Sequence, residues 1–213
     1  MGTRPQTKVY GEAIEDFCRI CGFDEDRFWE DGWPTAAICD SCGNESGIAD
    51  FGAEPGSWWG VRGPHQSRGL WLGTGAQWYA PWNKPRAWDL LGQVENIPPK
   101  WRTPAPSPID RARQIGSRSD HASLGTETVC RICGFQGPAF WSDGEPTETV
   151  CPCCGTESGI GDLGTPGGHW KLRWIHTRRG YWVGIGAPWA VPEARPAQWD
   201  ILEQLSGLPA AWR

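Results

Sequence analysis

Eight of the nine cysteines form four pairs in which two residues separate the cysteines and a glycine follows the second one. The pairs are Cys18 and Cys21, Cys39 and Cys42, Cys130 and Cys133, and Cys151 and Cys154. Two such pairs about 15–20 residues apart can point four thiolates at one metal ion. The spacing therefore predicts two four-cysteine sites and two Zn²⁺ ions per chain, with iron as a less favoured alternative.

Four protein thiolates close the coordination sphere of a tetrahedral zinc ion, so we expect structural ions rather than hydrolytic ones. The remaining cysteine, Cys153, has Ser41 as its counterpart. It is interpreted as a small residue inside the second cysteine turn, with a redox role in which it displaces a ligand sulfur as the alternative. No pattern of nucleophile, base and phosphate-binding glycine loop accompanies the cysteines, and the sequence predicts a protein that is not an enzyme.

The sequence is an internal duplication. Residues 18–50 align without a gap to residues 130–162, and after a one-residue deletion residues 59–102 align to residues 170–213. A stretch with three alternating prolines at positions 104, 106 and 108 lies between the two. We therefore predict module 1 at residues 14–102 (copy one), a Pro-rich polar linker at 103–125, and module 2 at 126–213 (copy two).

The turn residues between the two cysteine pairs predict short strands. Gly, Pro and Asp punctuate positions 23–35, which favours a hairpin with strand material at Phe28-Trp29 and Ala37-Ile38. Tight cysteine turns and short strands around a four-cysteine zinc site, with short helices after them, are typical of a zinc ribbon. The expected fold is two tandem copies of a small α+β zinc-ribbon module.

Two helices are predicted in each copy. Spacings of three along residues 59–71 and 170–182 favour a helix, which Gly63-Pro64 should interrupt in copy one. Asp89 and Asp200 each precede a short apolar segment and predict the N-cap of a second helix.

The motif Cys151-Pro-Cys-Cys-Gly155 and residues 140–147 before it resemble the short bacterial cysteine-rich proteins named for their CPCC motif. Further matching residues recur in both copies: Trp71, Gly75, Ala76, Trp78, Pro85, Trp88, Asp89 and Gln93, then Trp182, Gly186, Ala187, Trp189, Pro196, Trp199, Asp200 and Gln204. The resemblance implies a zinc-ribbon fold and an accessory role, in some cases as an immunity factor beside toxin loci, and assigns no reaction. The chain departs from the pattern because it is a tandem and because copy one reads Cys39-Asp-Ser-Cys42.

Composition argues against several classes of protein, namely general nucleic-acid coats, membrane proteins and secreted proteins. The 213 residues carry a net charge of −5, which argues against a general nucleic-acid coat. No apolar run approaches the ~18 residues of a membrane helix, and the first residues lack the apolar segment of a secretion signal. We expect a cytoplasmic protein without a membrane partner.

Sixteen tryptophans are unusual for this length. Those shared by the two copies are expected to form the cores around the metal: Trp29/Trp141, Trp59/Trp170, Trp71/Trp182, Trp78/Trp189, Trp88/Trp199 and Trp101/Trp212. Trp33, Trp58, Trp82 and Trp174 have no tryptophan at the matching position of the other copy. Unshared tryptophans are better candidates for partner contact.

A repeated polar set is the other candidate surface. Its members are Arg62, His65 and Arg68 in copy one and Arg173, His176 and Arg179 in copy two, with Lys171 and Trp174 beside them. On one helix face such a set could hold a phosphate or a carboxylate-rich partner, while stacking of the arginines on tryptophan and local bonding of the histidines is the simpler interpretation.

Three functions follow from these features. The leading hypothesis is a non-enzymatic tandem zinc protein that binds another protein, with an immunity or accessory role as the specific form. Nucleic-acid binding through Lys171, Arg173, Trp174, Arg178 and Arg179 of copy two is the first alternative. Electron transfer through rubredoxin-like iron sites is the second, although the loop between the pairs is too short for that family.

Overall fold

The computed structural model describes residues 14–51, 58–103, 125–163 and 172–213, with the side chains of residues 58 and 59 excepted. The predicted linker falls almost entirely outside these ranges. Lys171 and Trp170 also lie outside them.

Copy one begins with a three-stranded antiparallel sheet in the order β1-β2-β3. The strands are β1 (Ile14–Glu15), β2 (Trp29–Glu30) and β3 (Trp33–Pro34), and Trp29 pairs with both Glu15 and Pro34. Three helices follow: α1 (Trp58–Gly73), α2 (Leu90–Glu95) and α3 (Pro99–Arg102), with a 3-10 turn at Pro81–Asn83 between α1 and α2.

Copy two has the same order of elements. Its antiparallel sheet contains β4 (Thr126–Val129), β5 (Gln136–Ser142) and β6 (Glu145–Pro146). Two helices, α4 (Arg173–Gly184) and α5 (Ile201–Ser206), follow, with 3-10 turns at Pro192–Ala194 and Ala210–Trp212. The described chain is thus a small α+β protein with short antiparallel strands and helices. Within it, no helix combines the length and apolar character needed to cross a membrane.

The predicted long helices are present as α1 and α4, but the predicted break in copy one is wrong. Helix α1 continues through Pro64, which is buried inside it. A proline within a helix removes one backbone donor and crowds the preceding turn, at a cost of about 3 kcal/mol. The packing of α1 along α4 offsets this cost.

The capped helices are confirmed. Asp89 accepts a bond of 2.7 Å from the amide of Gly92, and Asp200 accepts one of 2.8 Å from the amide of Glu203. The predicted hairpin is also present, but its second strand lies at Trp33–Pro34, while Ile38 forms only an isolated bridge with Glu45.

Helices α1 and α4 cross at a glycine of each helix, Gly69 and Gly180. A Cβ atom at Gly69 would overlap the carbonyl oxygen of His176, and one at Gly180 would overlap that of His65. The rings of His65 and Tyr181 meet edge to face at 5.6 Å beside this crossing. The two copies therefore touch backbone to backbone in the middle of the structure.

Tryptophans and arginines fill the core of each copy. The guanidinium of Arg19 lies between the rings of Trp29 and Trp101, 3.6 and 3.9 Å from their centroids, and donates to Glu15 at 2.6 Å. Arg131 repeats the arrangement between Trp141 and Trp212. All other shared tryptophans with described side chains are buried or half-buried, so their assignment to the core is confirmed, while the pair Trp59/Trp170 lies outside the described side chains.

Candidate metal centres

The four cysteine sulfurs of copy one converge on one point. All ligand atoms of Cys18, Cys21, Cys39 and Cys42 lie within 4.8 Å of one another. The Sγ atoms of Cys18 and Cys42 are 3.6 Å apart, and those of Cys21 and Cys39 are 3.5 Å apart. A Zn–S distance of about 2.3 Å places the sulfurs of a tetrahedron about 3.8 Å apart, so the cluster has the size of a metal cage and is far too open for disulfides.

The sulfurs of copy two form the same cluster. Cys130, Cys133, Cys151 and Cys154 again have every ligand atom within 4.8 Å of the others. The pairs Cys130 with Cys154 and Cys133 with Cys151 are each separated by 3.6 Å. The structure brings together all eight predicted ligands, four in each site.

Each cysteine pair sits on a tight turn that the following glycine permits. Glycines 22, 43, 134 and 155 all have positive φ, between 69° and 80°. In the first turn the amide of Gly22 donates to the carbonyl of Cys18 at 2.8 Å, and in the second the amide of Cys42 points at the sulfur of Cys39 at 3.5 Å. Amides directed at the sulfurs stabilise negative charge there.

The sulfurs cannot all be ionised without a cation. Burial raises the pKa of the Cys21 thiol well above its usual range, and hydrogen bonding to Cys18 raises the pKa of Cys42. Hydrogen bonds from Cys18 and the other two thiols lower the pKa of Cys39. A soft divalent cation would offset the repulsion and displace the shared protons, as metal binding by thiols requires. The donor set therefore fits a resident metal ion.

The sites are closed to substrate. Three of the four sulfur-bearing residues of each site are buried, and only Cys42 and Cys154 are half-buried. Because each site has four protein ligands, an ion held there would keep no position for water. The geometry suits a structural ion.

In each site one glutamine side chain donates hydrogen bonds to both cysteine turns. The sequence analysis assigned no role to this residue. Gln93 donates from Nε2 to the carbonyl of Cys21 and to Oγ of Ser41, both at 3.0 Å, and its Oε1 accepts from the indole of Trp88. Gln204 repeats this with the carbonyl of Cys133 at 2.9 Å. The recurrence of Trp-Asp followed four residues later by Gln in both copies was the available signal.

Cys153 takes the position of Ser41 in this arrangement. It is buried, and its sulfur accepts from Gln204 Nε2 at 3.3 Å. Its sulfur lies beside the cluster without being one of its four members. The interpretation as a small residue inside the turn fits this placement, and a redox role stays a prediction.

Two of the four arginines considered for an anion-binding surface lie inside the protein. Arg68 and Arg179 have no exposed surface, so these two residues do not belong to an exposed anion-binding face. Arg68 donates to the carbonyls of Arg19 and Ile20 within the first cysteine turn and to Gly180 of the other copy at 3.1 Å. Burial lowers its pKa to about 10, so it remains a cation at neutral pH.

Arg179 is the counterpart of Arg68. It donates to the carbonyls of Arg131 and Ile132 in its own cysteine turn, and to that of Gly69 across the helix crossing at 3.2 Å. Each guanidinium thus connects one metal site to the opposite helix.

The histidines of the set are buried with the arginines. Burial lowers the pKa of His65 well below its usual range, so its imidazole is neutral at pH 7. Arg68 lies 3.0 Å from its Nδ1 and can donate to it. His176 is fully buried at the matching place. Both residues are therefore buried and neither forms an exposed ligand site.

Three other residues of the repeated polar set, Arg62, Arg173 and Trp174, lie together near the first turns of α1 and α4. Arg62 stacks on the ring of Trp174 at 4.4 Å, and Arg173 lies 5.4 Å from the same ring. Trp174 is half-buried between them. Lys171, the last predicted member, lies outside the described residues.

Comparisons of the chain with protein-family models, with curated proteins and with solved structures found no match.

Proposed function

We propose that the chain is a non-enzymatic protein-binding module built from two tandem zinc ribbons of the CPCC type, each held together by one structural Zn²⁺. An immunity or accessory role is the specific form of this proposal. The two closed sulfur cages support the structural part, because ions with four protein ligands stabilise a small fold and leave no position for a reacting water.

The binding part of the proposal rests on apolar side chains exposed around the first metal site. Trp33, Tyr79 and Trp82 are 72 %, 61 % and 80 % exposed. Tyr79 borders the segment that carries Cys39 and Cys42, because its ring lies over Gly43 and its amide donates to the carbonyl of Ser41 at 3.0 Å. Trp82 precedes Asn83, which donates to Asp40 of the same segment at 2.6 Å. Trp33 lies on strand β3 of the same copy. We group these three side chains with the exposed Ile38 and Ile48 of the same copy and name the group the knuckle face.

Copy two shows that the fold does not need these aromatic residues. The counterparts of Trp33, Tyr79 and Trp82 are Glu145, Ala190 and Glu193. The same elements and the same sulfur cluster form around them. Exposed aromatic side chains that a fold does not require are typical anchors of protein interfaces, and this difference is the observation that carries the proposed function.

The charge beside the knuckle face indicates the partner. Asp24, Glu25, Asp26, Glu30 and Asp31 are all exposed in the loop between the cysteine pairs of copy one. One of them, Glu30, pairs with Arg27 at 3.3 Å. The surplus of carboxylates favours a partner with a basic surface, and the attraction should weaken with salt.

The alternatives have less support. The predicted nucleic-acid surface loses Arg179, which is fully buried, and its Trp174 is already stacked by Arg62. Iron would fit the same four-sulfur sites, since their geometry suits both metals, and metal analysis distinguishes zinc from iron.

Replacing the knuckle face with its counterparts is the test of this function. The variant Trp33→Glu, Tyr79→Ala, Trp82→Glu should keep two metal ions and unfold within a few degrees of the native chain, because copy two folds with these residues. Affinity capture from the source cell's lysate, quantified by mass spectrometry, should recover a basic protein with the native chain and at least about tenfold less with the variant. As a matched control, Ile160→Glu places one charge on the corresponding exposed surface of copy two and should leave capture unchanged.

Equal capture by both chains would contradict the knuckle face as the binding surface. Recovery of nucleic acid without protein, lost at high salt, would replace the proposed function with the first alternative.

A further inference from the structure

The two copies differ beside their metal sites, and copy two has a cleft. A cavity of about 190 Å³ opens next to Cys154. Its walls include Arg178, Tyr181, Trp182, Trp189 and Ala190. Its lining is mainly apolar, with three aromatic rings and one cationic side chain.

The open volume of this cleft results from one residue difference between the two copies, Tyr79 in copy one and Ala190 in copy two. In copy one the ring of Tyr79 lies directly over Gly43, 3.0 Å from where a Cβ atom of that glycine would be. In copy two the matching glycine, Gly155, faces only the methyl group of Ala190, at 3.2 Å. The space that a tyrosine ring occupies beside the first metal site is therefore open beside the second.

Two of the donors around the cleft, on Arg178 and Trp189, have no acceptor among the described residues, whereas the indole of Trp182 donates to the carbonyl of Pro188 at 3.0 Å. Arg178 is half-buried, and nowhere in the described ranges does its guanidinium have a hydrogen-bond or ion-pair partner. The indole nitrogen of Trp189 is buried without an acceptor, as is that of its counterpart Trp78. Arg178 corresponds to Ser67 in copy one, so the cation is specific to copy two.

A cation beside an aromatic cavity fits an apolar group that carries a negative charge. Arg178 is the cationic side chain of the lining, so the negative charge of the ligand is placed at Arg178. The volume is below the ~300–1,000 Å³ of sites for drug-sized molecules and suits one side chain. The C-terminal residue of a protein supplies both features, because its carboxylate carbon is bonded directly to the Cα that bears the side chain.

We infer that the cleft beside Cys154 binds the C-terminal residue of a partner protein, with a large apolar side chain against Trp182 and Trp189 and the terminal carboxylate on Arg178. The inference deepens the proposed function and rests on it. It adds a second contact on copy two, with the opposite charge preference to the acidic loop of copy one.

Nuclear magnetic resonance of the metal-loaded, ¹⁵N-labelled full chain tests this site. The probe is the tripeptide acetyl-Gly-Gly-Phe with a free carboxylate, compared with its C-terminal amide and with 3-phenylpropionate. The free tripeptide should produce saturable shifts of the indole signals of Trp182 and Trp189. The amide should bind at least about tenfold more weakly, because a charge-assisted hydrogen bond to arginine is lost.

Two variants use residues that the fold already accepts in copy one. Arg178→Ser removes the cation and Ala190→Tyr fills the cavity, and both should keep two metal ions per chain. Each should weaken tripeptide binding at least about tenfold, while Ser67→Arg in copy one should leave it unchanged.

Shifts that do not saturate, equal binding of acid and amide, or binding unaffected by both variants would overturn the site. Binding of 3-phenylpropionate as strong as that of the tripeptide would overturn the assignment to a protein C-terminus. The result is separate from the capture experiment: tripeptide binding without any captured protein contradicts the proposed function, and capture without tripeptide binding contradicts only the cleft.

Discussion

Replacing Cys133 with serine should reduce the metal content from two ions per chain to one and unfold copy two. Cys133 is fully buried, and the other three sulfurs of its site surround it. Structural zinc contributes about 10–16 kcal/mol of binding free energy in small domains, so losing one ligand should cost several kcal/mol of the ~5–15 kcal/mol that stabilises a typical protein. The measurements are metal analysis and chemical unfolding followed by tryptophan fluorescence.

Cys153→Ser is the matched control for this substitution. Serine already occupies the counterpart position 41, where its hydroxyl accepts from Gln93 at 3.0 Å. The control should bind two ions and unfold like the native chain. If Cys153→Ser lost metal as Cys133→Ser does, the assignment of the four ligands in copy two would be wrong.

Replacing Gly69 with alanine should destabilise the whole chain by about 3 kcal/mol, which is at the upper end for overpacking in a core. The added methyl group would overlap the carbonyl oxygen of His176 on α4, and a backbone atom cannot rotate away as a flexible side chain can. Separation of α1 from α4 would also break the bonds from Arg68 to Gly180 and from Arg179 to Gly69. Chemical unfolding at equilibrium measures the loss.

Ser67→Ala, on the same helix but half-buried, is the control and should change the free energy of unfolding by less than about 0.5 kcal/mol. Because each buried arginine holds both a cysteine turn and the opposite helix, Gly69→Ala should also lower the affinity for the second metal ion. Native stability in Gly69→Ala would contradict the close crossing of the two helices.

The sequence predicted the structure best where the spacing of neighbouring residues determines the local backbone conformation. The four cysteine pairs and the glycines after them predicted the sulfur clusters, because a tight turn determines the direction of two cysteine side chains that have two residues between them. The caps at Asp89 and Asp200 were predictable for the same local reason.

Predictions that depended on tertiary packing were less accurate than those from local spacing. Arg68 and Arg179 were candidates for an anion-binding face, with local stacking and bonding as the simpler interpretation. No local pattern indicates the carbonyl groups of a cysteine turn and of the other long helix that these two arginines bind. Pro64 was expected to break its helix because the contribution of α4 is invisible in a local pattern. The cleft beside Cys154 could have been suspected from the exchange of Tyr79 for Ala190, but only the structure shows that the tyrosine ring covers a glycine.

The metal content of protein purified without added metal is the most direct test of two structural zinc sites. Plasma mass spectrometry should find two zinc ions per chain in a colourless protein, and a strong chelator should remove them together with the near-UV signal of the packed tryptophans. Absence of metal with the native fold retained, or iron at both sites, would contradict the account.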